Sequence, residues 1–211
     1  LVDYNTANGS GGGLSVAGVM TLDSVDILHN NGSNSGGIHF YYAQGEISNS
    51  RISHNQGTYN SPGLYIHGAL SDDGIEPGLI LNHVEISNNI GDHQVNILSS
   101  TSASSSNVVD FNHVTIVADP ETPGLASAIR LQGTAINTLD IHNSIIGTFP
   151  SGTIFTDGEE NLSIDYSNIV GGESSVEINA ENLIYENNID EDPQFVDAAN
   201  ENYNLLESSP C

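Results

Sequence analysis

Residues able to do chemistry recur in this chain at fixed places relative to an apolar repeat. Seven times, two flanking residues, all apolar but Thr156, enclose one variable residue: Leu14-Ser15-Val16, Ile38-His39-Phe40, Leu64-Tyr65-Ile66, Val95-Asn96-Ile97, Ile129-Arg130-Leu131, Ile154-Phe155-Thr156 and Val176-Glu177-Ile178. Alternation of this kind is a strand with one buried face, so the middle residues point outward as a column: Ser15, His39, Tyr65, Asn96, Arg130, Phe155, Glu177. An inverting glycosidase needs two carboxyl groups about 6.5–9.5 Å apart, one or two rungs of such a column. This column holds one carboxylate, at its far end. A lyase needs a base and a neutraliser of the uronate. His39 and Arg130 are of those types, but three rungs, roughly 14 Å, separate them. Binding asks less. His39, Tyr65, Asn96 and Arg130, with the rings of Tyr41 and Phe155 nearby, are expected to expose rings and hydrogen-bonding groups suited to a sugar face.

The elements that must position these residues carry a second signal, an apolar pair five residues apart. The pairs are Leu22/Ile27, Ile47/Ile52, Leu81/Ile86, Phe111/Ile116, Ile141/Ile146, Ile164/Ile169 and Ile184/Ile189. They return at solenoid-like intervals of roughly 20 to 34 residues. Two short strands per repeat, glycine and asparagine at corners and no helical period predict an all-β parallel β-helix of about seven coils. At about 4.8 Å per coil the rod is roughly 30–35 Å long. Coils are expected over 1–190 and a capping segment over 191–211, because an open solenoid end leaves apolar residues and strand edges to cover. The first residues repeat the passage from Ile27 to Ile38, so the chain reads as a piece that starts inside a coil.

Asn30, Asn55 and Asn89 sit three residues after a pair, with Asn5 equivalent, and predict a stacked amide ladder. From Asp119 on this corner lapses. Gly12-Gly13, Gly36-Gly37, Gly63 and Gly152 precede first strands, where the chain must turn without room for a Cβ. Longer spacings place loops at Gly68–Gly78 and Ser99–Asn107 on one corner, and at Asp119–Leu125 on another. Loops on a rigid scaffold often carry function.

The formal charge is −25, with Arg51 and Arg130 the chain's only arginines or lysines. Such a surface repels nucleic acid and anionic membranes. It reads either as a hydrated acidic coat or as scattered cation sites. Asp72, Asp73 and Glu76 in one loop are the calcium candidates, although they lack the glycine–aspartate spacing of dedicated calcium loops. His83 and His113 share a place on adjacent rungs, yet two imidazoles supply only two ligands. A second outward column, Asp26, Arg51, Glu85, Thr115, Ile145, Asn168, Asn188, begins as an acid–base–acid stack, a salt-bridge ladder or a carboxylate-recognition patch. Cys211, the lone cysteine, supports no internal disulfide.

The Asn…Gly-Gly-[Ile/Leu] coils, the Asn49-Ser50-Arg51-Ile52 and Asn143-Ser144-Ile145-Ile146 turns, and the closing Asp192-Pro193…Phe195…Tyr203…Leu205…Ser209-Pro210-Cys211 resemble right-handed parallel β-helix repeat regions of large secreted or surface-anchored bacterial proteins. The coils are also similar to polymorphic outer-membrane-protein repeats. This resemblance spans essentially the whole chain. It implies an extracellular or cell-surface location and a polysaccharide or another surface protein as partner. The architecture serves enzymes, adhesins and inert stalks alike. The expected function is therefore a non-catalytic stalk or adhesin module that contacts glycan. The alternative is a polysaccharide lyase or hydrolase of the pectate-lyase-like class.

Overall fold

A computed structural model of the chain describes residues 1–59, 61–69, 77–99, 107–119, 122, 124, 126–158, 160–178 and 182–211. Among these, sixteen strands join one curled, parallel sheet, a β-helix-like solenoid. Its first side stacks the start of Leu14–Asp23, the start of Ile38–Ser53, Leu64–Ala69, His93–Ser99, Ser127–Gly133, Ile154–Thr156 and Val176–Glu177 in that order. The second side stacks the far half of Ile38–Ser53 with Leu79–Ser87, Val108–Val117, Thr138–His142, Asn161–Asp165 and Leu183–Glu186. The sixteen-residue strand Ile38–Ser53 runs through both sides, so the sheet curls around one core. Short strands Thr6–Ala7, Asn31–Gly32 and Gln56–Gly57 form a third parallel side in the early coils.

The core is the stack of apolar pairs. Ile27, Ile47, Ile52, Leu81, Ile86, Phe111, Ile116, Ile141, Ile146, Ile164 and Ile169 are all fully or almost fully buried. Burying each contributes about 1.5–3 kcal/mol, so neighbouring coils hold each other in place. The last expected pair needs correction. In the final coil Leu183 and Tyr185 lie over Leu162 and Ile164, while Ile184 lies over outward-facing Ser163 and is 56% exposed. The rung above Asn168 is likewise Ile189, not Asn188.

The five-residue spacing has a local cause. In an uninterrupted strand, residues five apart face opposite sides of the sheet. Here one residue between them, two after the first pair member, takes a left-handed backbone: Ser24, Asn49, His83, His113, Asn143 and Tyr166, with φ from 47° to 57°. That bend turns the strand and returns the second pair member to the core. Left-handed geometry costs a residue with a Cβ roughly 1–2 kcal/mol, least for asparagine. A similar bend at Tyr4, His29, His54 and Asn88 directly precedes each ladder asparagine.

The ladder itself forms as expected. Asn5, Asn30 and Asn55 each donate their side-chain amide to the carbonyl oxygen of the next asparagine at 2.9–3.0 Å, and Asn89 passes the bond to Gln94 Oε1 at 2.9 Å. Glycine is required beside it. A Cβ on Gly37 would lie 2.4 Å from the Gly63 carbonyl oxygen, and one on Gly63 would lie 2.6 Å from that of Gln94. Serine and asparagine on another corner do the same in early and late coils: Ser50 Oγ accepts from the Val25 amide, Ser144 Oγ from that of Val114, Ser167 Oγ from that of Ser144, and Asn188 Oδ1 from that of Ser167.

The segment expected as an end cap folds back along the flank. Phe195–Asp197 and Asn202–Leu205 pair antiparallel, with the Phe195 and Tyr203 rings edge to face at 5.3 Å. Asn88 donates to Tyr203 at 3.0 Å and to Glu201 at 3.1 Å. His54 bonds Glu201 at 2.8 Å, and Asn168 donates to the Cys211 sulfur at 3.0 Å. Among the described residues no helix is long and apolar enough to cross a membrane.

Candidate functional site

The outward column of the first side is aligned rung by rung as Ser15, His39, Tyr65, Asn96, Arg130, Phe155 and Glu177. Its side chains are less exposed than the strand pattern implies. His39 is 6% exposed, Tyr65 5% and Asn96 1%. Rung spacing explains this: flat rings about 4.8 Å apart lie face on face and cover each other. His39 and Tyr65 stack with centroids 5.0 Å apart and planes 11° apart.

Around that stack the structure assembles a ring cluster. Tyr41 meets His39 at 5.5 Å and His67 at 5.2 Å, and Tyr42 meets Tyr41 at 4.6 Å. His39, Tyr41, Tyr65 and His67, with Ser15, Ser10 and Asn34, border a cleft of about 550 Å³. Both ring nitrogens of His39 are buried without a hydrogen-bond partner. Burial, and next to it the charge of His67, holds this imidazole down at a pKa of about 4, so it is neutral at pH 7. Burial also raises the Tyr65 phenol and lowers His67. A neutral imidazole carries one N–H donor and one lone pair, the complement of a hydroxyl group.

Of the four expected ligand-binding residues, the structure brings His39 and Tyr65 together and leaves the others elsewhere. Asn96 accepts a bond from Gln132 at 3.0 Å. Arg130 lies two rungs beyond Tyr65, donates Nε to Asp157 at 3.2 Å and also bonds it through Nη2. Its guanidinium sits 5.9 Å from the Phe155 ring centroid. Tyr41 completes the cleft because the first strand continues past its middle residue, and Tyr42 backs it with ring contacts to Tyr41 and His67. Tyr42, with φ 44°, bends out of the alternation that marks the other positions.

The calcium candidates Asp72, Asp73 and Glu76 lie outside the described residues, as do most positions of the loops expected at 68–78, 99–107 and 119–125. Among the described residues no group of three or more His, Cys, Asp or Glu is placed to hold a metal ion. His83 and His113 stack face to face at 4.5 Å on exposed bends. In the second column Arg51 donates to Asp26 at 3.3 Å, whereas Glu85 accepts from Ser87 at 2.7 Å and is pushed up chiefly by burial. The chain tail lies over this stack, Glu201, Asn202, Tyr203 and Asn204 bordering one groove with Arg51 and Glu85.

Reading only two outward columns missed a third. Asp110 and Asp140 are direct partners on adjacent rungs of the second side. Burial raises both carboxyls, and one Asp110 oxygen is buried without a partner. Each stands immediately before the first member of an apolar pair, and that position was the available signal.

Scanned against protein-family models, curated proteins and solved structures, the chain matches none of them.

Proposed function

We propose that this chain is a non-catalytic β-helical module, a stalk or adhesin of a bacterial surface or secreted protein, that contacts glycan through the His39–Tyr65 cleft. The observation that carries the reading is the ring cluster around a nine-tenths-buried imidazole whose two nitrogens have no partner. Rings stack on sugar faces, and an unsatisfied donor and acceptor favour a hydroxyl-bearing ligand. The repeat pattern supports the surface-protein context, and the rod supplies reach. Catalysis on a glycosidic bond needs an acid and a base converging on one bond, and the cleft presents no carboxylate among its bordering residues. On a glycan array the protein is expected to bind a defined set of oligosaccharides, and reducing-end and ultraviolet lyase assays on those ligands are expected to stay at background. Loss of binding is expected for Tyr41→Ala. Array signals that Tyr41→Ala leaves intact would move the contact away from this cleft.

A second reading rests on Asp110 and Asp140. Adjacent rungs place them about 4.8 Å apart at the backbone, so both carboxyls can reach one glycosidic bond. A buried, raised carboxyl is also what a general acid requires. Turnover of a polysaccharide, abolished by Asp110→Asn and by Asp140→Asn, would promote this hydrolase over the binding module.

A further inference from the structure

Every fixed cation of the chain is committed away from the cleft. Arg51 and Arg130 are its only arginines or lysines, against 27 acidic residues. Arg130 is clamped on Asp157 and Arg51 faces Asp26. Arg130 stands three rungs from His39, roughly 14 Å along the stack. The groups that border the cleft are rings, hydroxyls, an amide and short apolar side chains: Tyr41, Tyr65, Ser10, Ser15, Asn34 and Val16, besides the two histidines. A carboxylate or sulfate brought there meets no cation and the field of a strongly acidic body. Leaving water for such a site costs an anion far more than it costs a hydroxyl.

We propose that the cleft is specific for uncharged sugars and excludes uronates and sulfated sugars, with His39 as the specificity residue, one ring nitrogen accepting from one sugar hydroxyl and the other donating to a second. This rests on the glycan reading above and narrows its ligand class. Both nitrogens are closed off from solvent, with the Tyr65 ring stacked on the imidazole and the Tyr41 ring tilted beside it. Tyr41, 43% exposed and in edge contact with Tyr42 and His67, is in this proposal the ring that shifts to admit the ligand and then packs its face on the sugar. Specificity follows from satisfaction: a site that offers a buried donor and acceptor loses affinity when the ligand cannot complete both.

The test is calorimetric titration of the whole chain with two sets of hexasaccharides. Cellohexaose, mannohexaose and galactohexaose form the neutral set, and hexagalacturonate and hexaguluronate the acidic one. Each is titrated with chelator at low salt and again with added calcium. At least one neutral ligand is expected to bind with a Kd indifferent to salt, and both acidic ligands at least about tenfold more weakly in either buffer, about 1.4 kcal/mol. His39→Phe keeps the stacked ring and loses the polar contact, so affinity for the neutral ligand falls at least about tenfold. His39→Gln restores a donor and an acceptor and stays within about threefold of wild type. Melting temperatures of both variants verify that they are folded, and if either fails the wild-type ratio of neutral to acidic affinities decides the ligand class by itself. Acidic ligands that match the neutral ones, with or without calcium, overturn the proposal and leave glycan contact standing. His39→Phe binding as wild type also overturns it. If neither set binds, the glycan reading fails and this proposal with it.

Discussion

At the residue scale the fold depends on side chains that satisfy backbone groups the sheet leaves over. Asn55 is fully buried and works in four directions. Its Oδ1 accepts from the Asn30 backbone and side chain, and its Nδ2 donates to Ile27 O and Asn89 Oδ1. Asn55→Ala leaves several of these groups buried and unpaired, each worth about 1–3 kcal/mol before relaxation. The expected loss is about 3 kcal/mol or more of unfolding free energy, read as a lower midpoint in urea. A loss below about 1 kcal/mol would mean that water replaces the amide. This ladder was legible in the sequence because asparagine recurs at one offset from each pair. The burial of His39 was not. Alternation assigns it outward, and outward normally means wet, until rings on neighbouring rungs cover it.

Each element carries the parity rule of its bend. A left-handed residue between the two members of a pair makes an odd spacing face one way, and six such spacings mark the coils. Pattern alone failed in the last coil because Leu183, Ile184 and Tyr185 are all apolar, so alternation there gives no unique phase. Stacking settles it, placing Leu183 and Tyr185 over Leu162 and Ile164. Ile184→Ser is therefore expected to change stability by no more than about 0.5 kcal/mol. Ile164→Ala, at a fully buried position, is expected to cost about 2–5 kcal/mol. Chemical denaturation of the two variants decides the register, and reversed costs would restore Ile184/Ile189 as the inward pair.

For the whole molecule the governing quantity is charge. A body at −25 repels itself, and salt screens that repulsion, so raising NaCl from about 10 mM to about 1 M is expected to raise the melting temperature. Acid acts through specific groups with opposite signs. Burial holds His39 and His93 at about 4, below the ordinary 6.5. The stability they contribute is present above about 6.5 and is lost as pH falls towards 4, because the unfolded chain takes up those protons first. Burial raises Glu85, Asp110, Asp140 and Glu160. Their contribution runs the other way, present in acid and lost as pH rises through the raised values. Subtraction separates the two. Between pH 7 and 4.5 the urea midpoint of His39→Phe is expected to fall less than that of wild type, and parallel slopes would show that the imidazole is freely hydrated.

The sequence by itself determined the architecture, the coil count and the first outward column. An apolar period, a repeated corner residue and the fixed pleat of a strand leave little freedom in how coils stack. It also fixed the scarcity of cations, which limits what the surface attracts. Tertiary structure alone decided which outward residues form a site. Contacts between rungs depend on neighbours 20 to 36 residues away, on ring sizes and on where the strand bends. Those terms drew Tyr41, Tyr42 and His67 around His39, left Asn96 with Gln132 and Arg130 with Asp157, and laid the chain tail along the flank. A one-dimensional pattern gives the direction of a side chain. What covers it is set by the packing of the coils on either side.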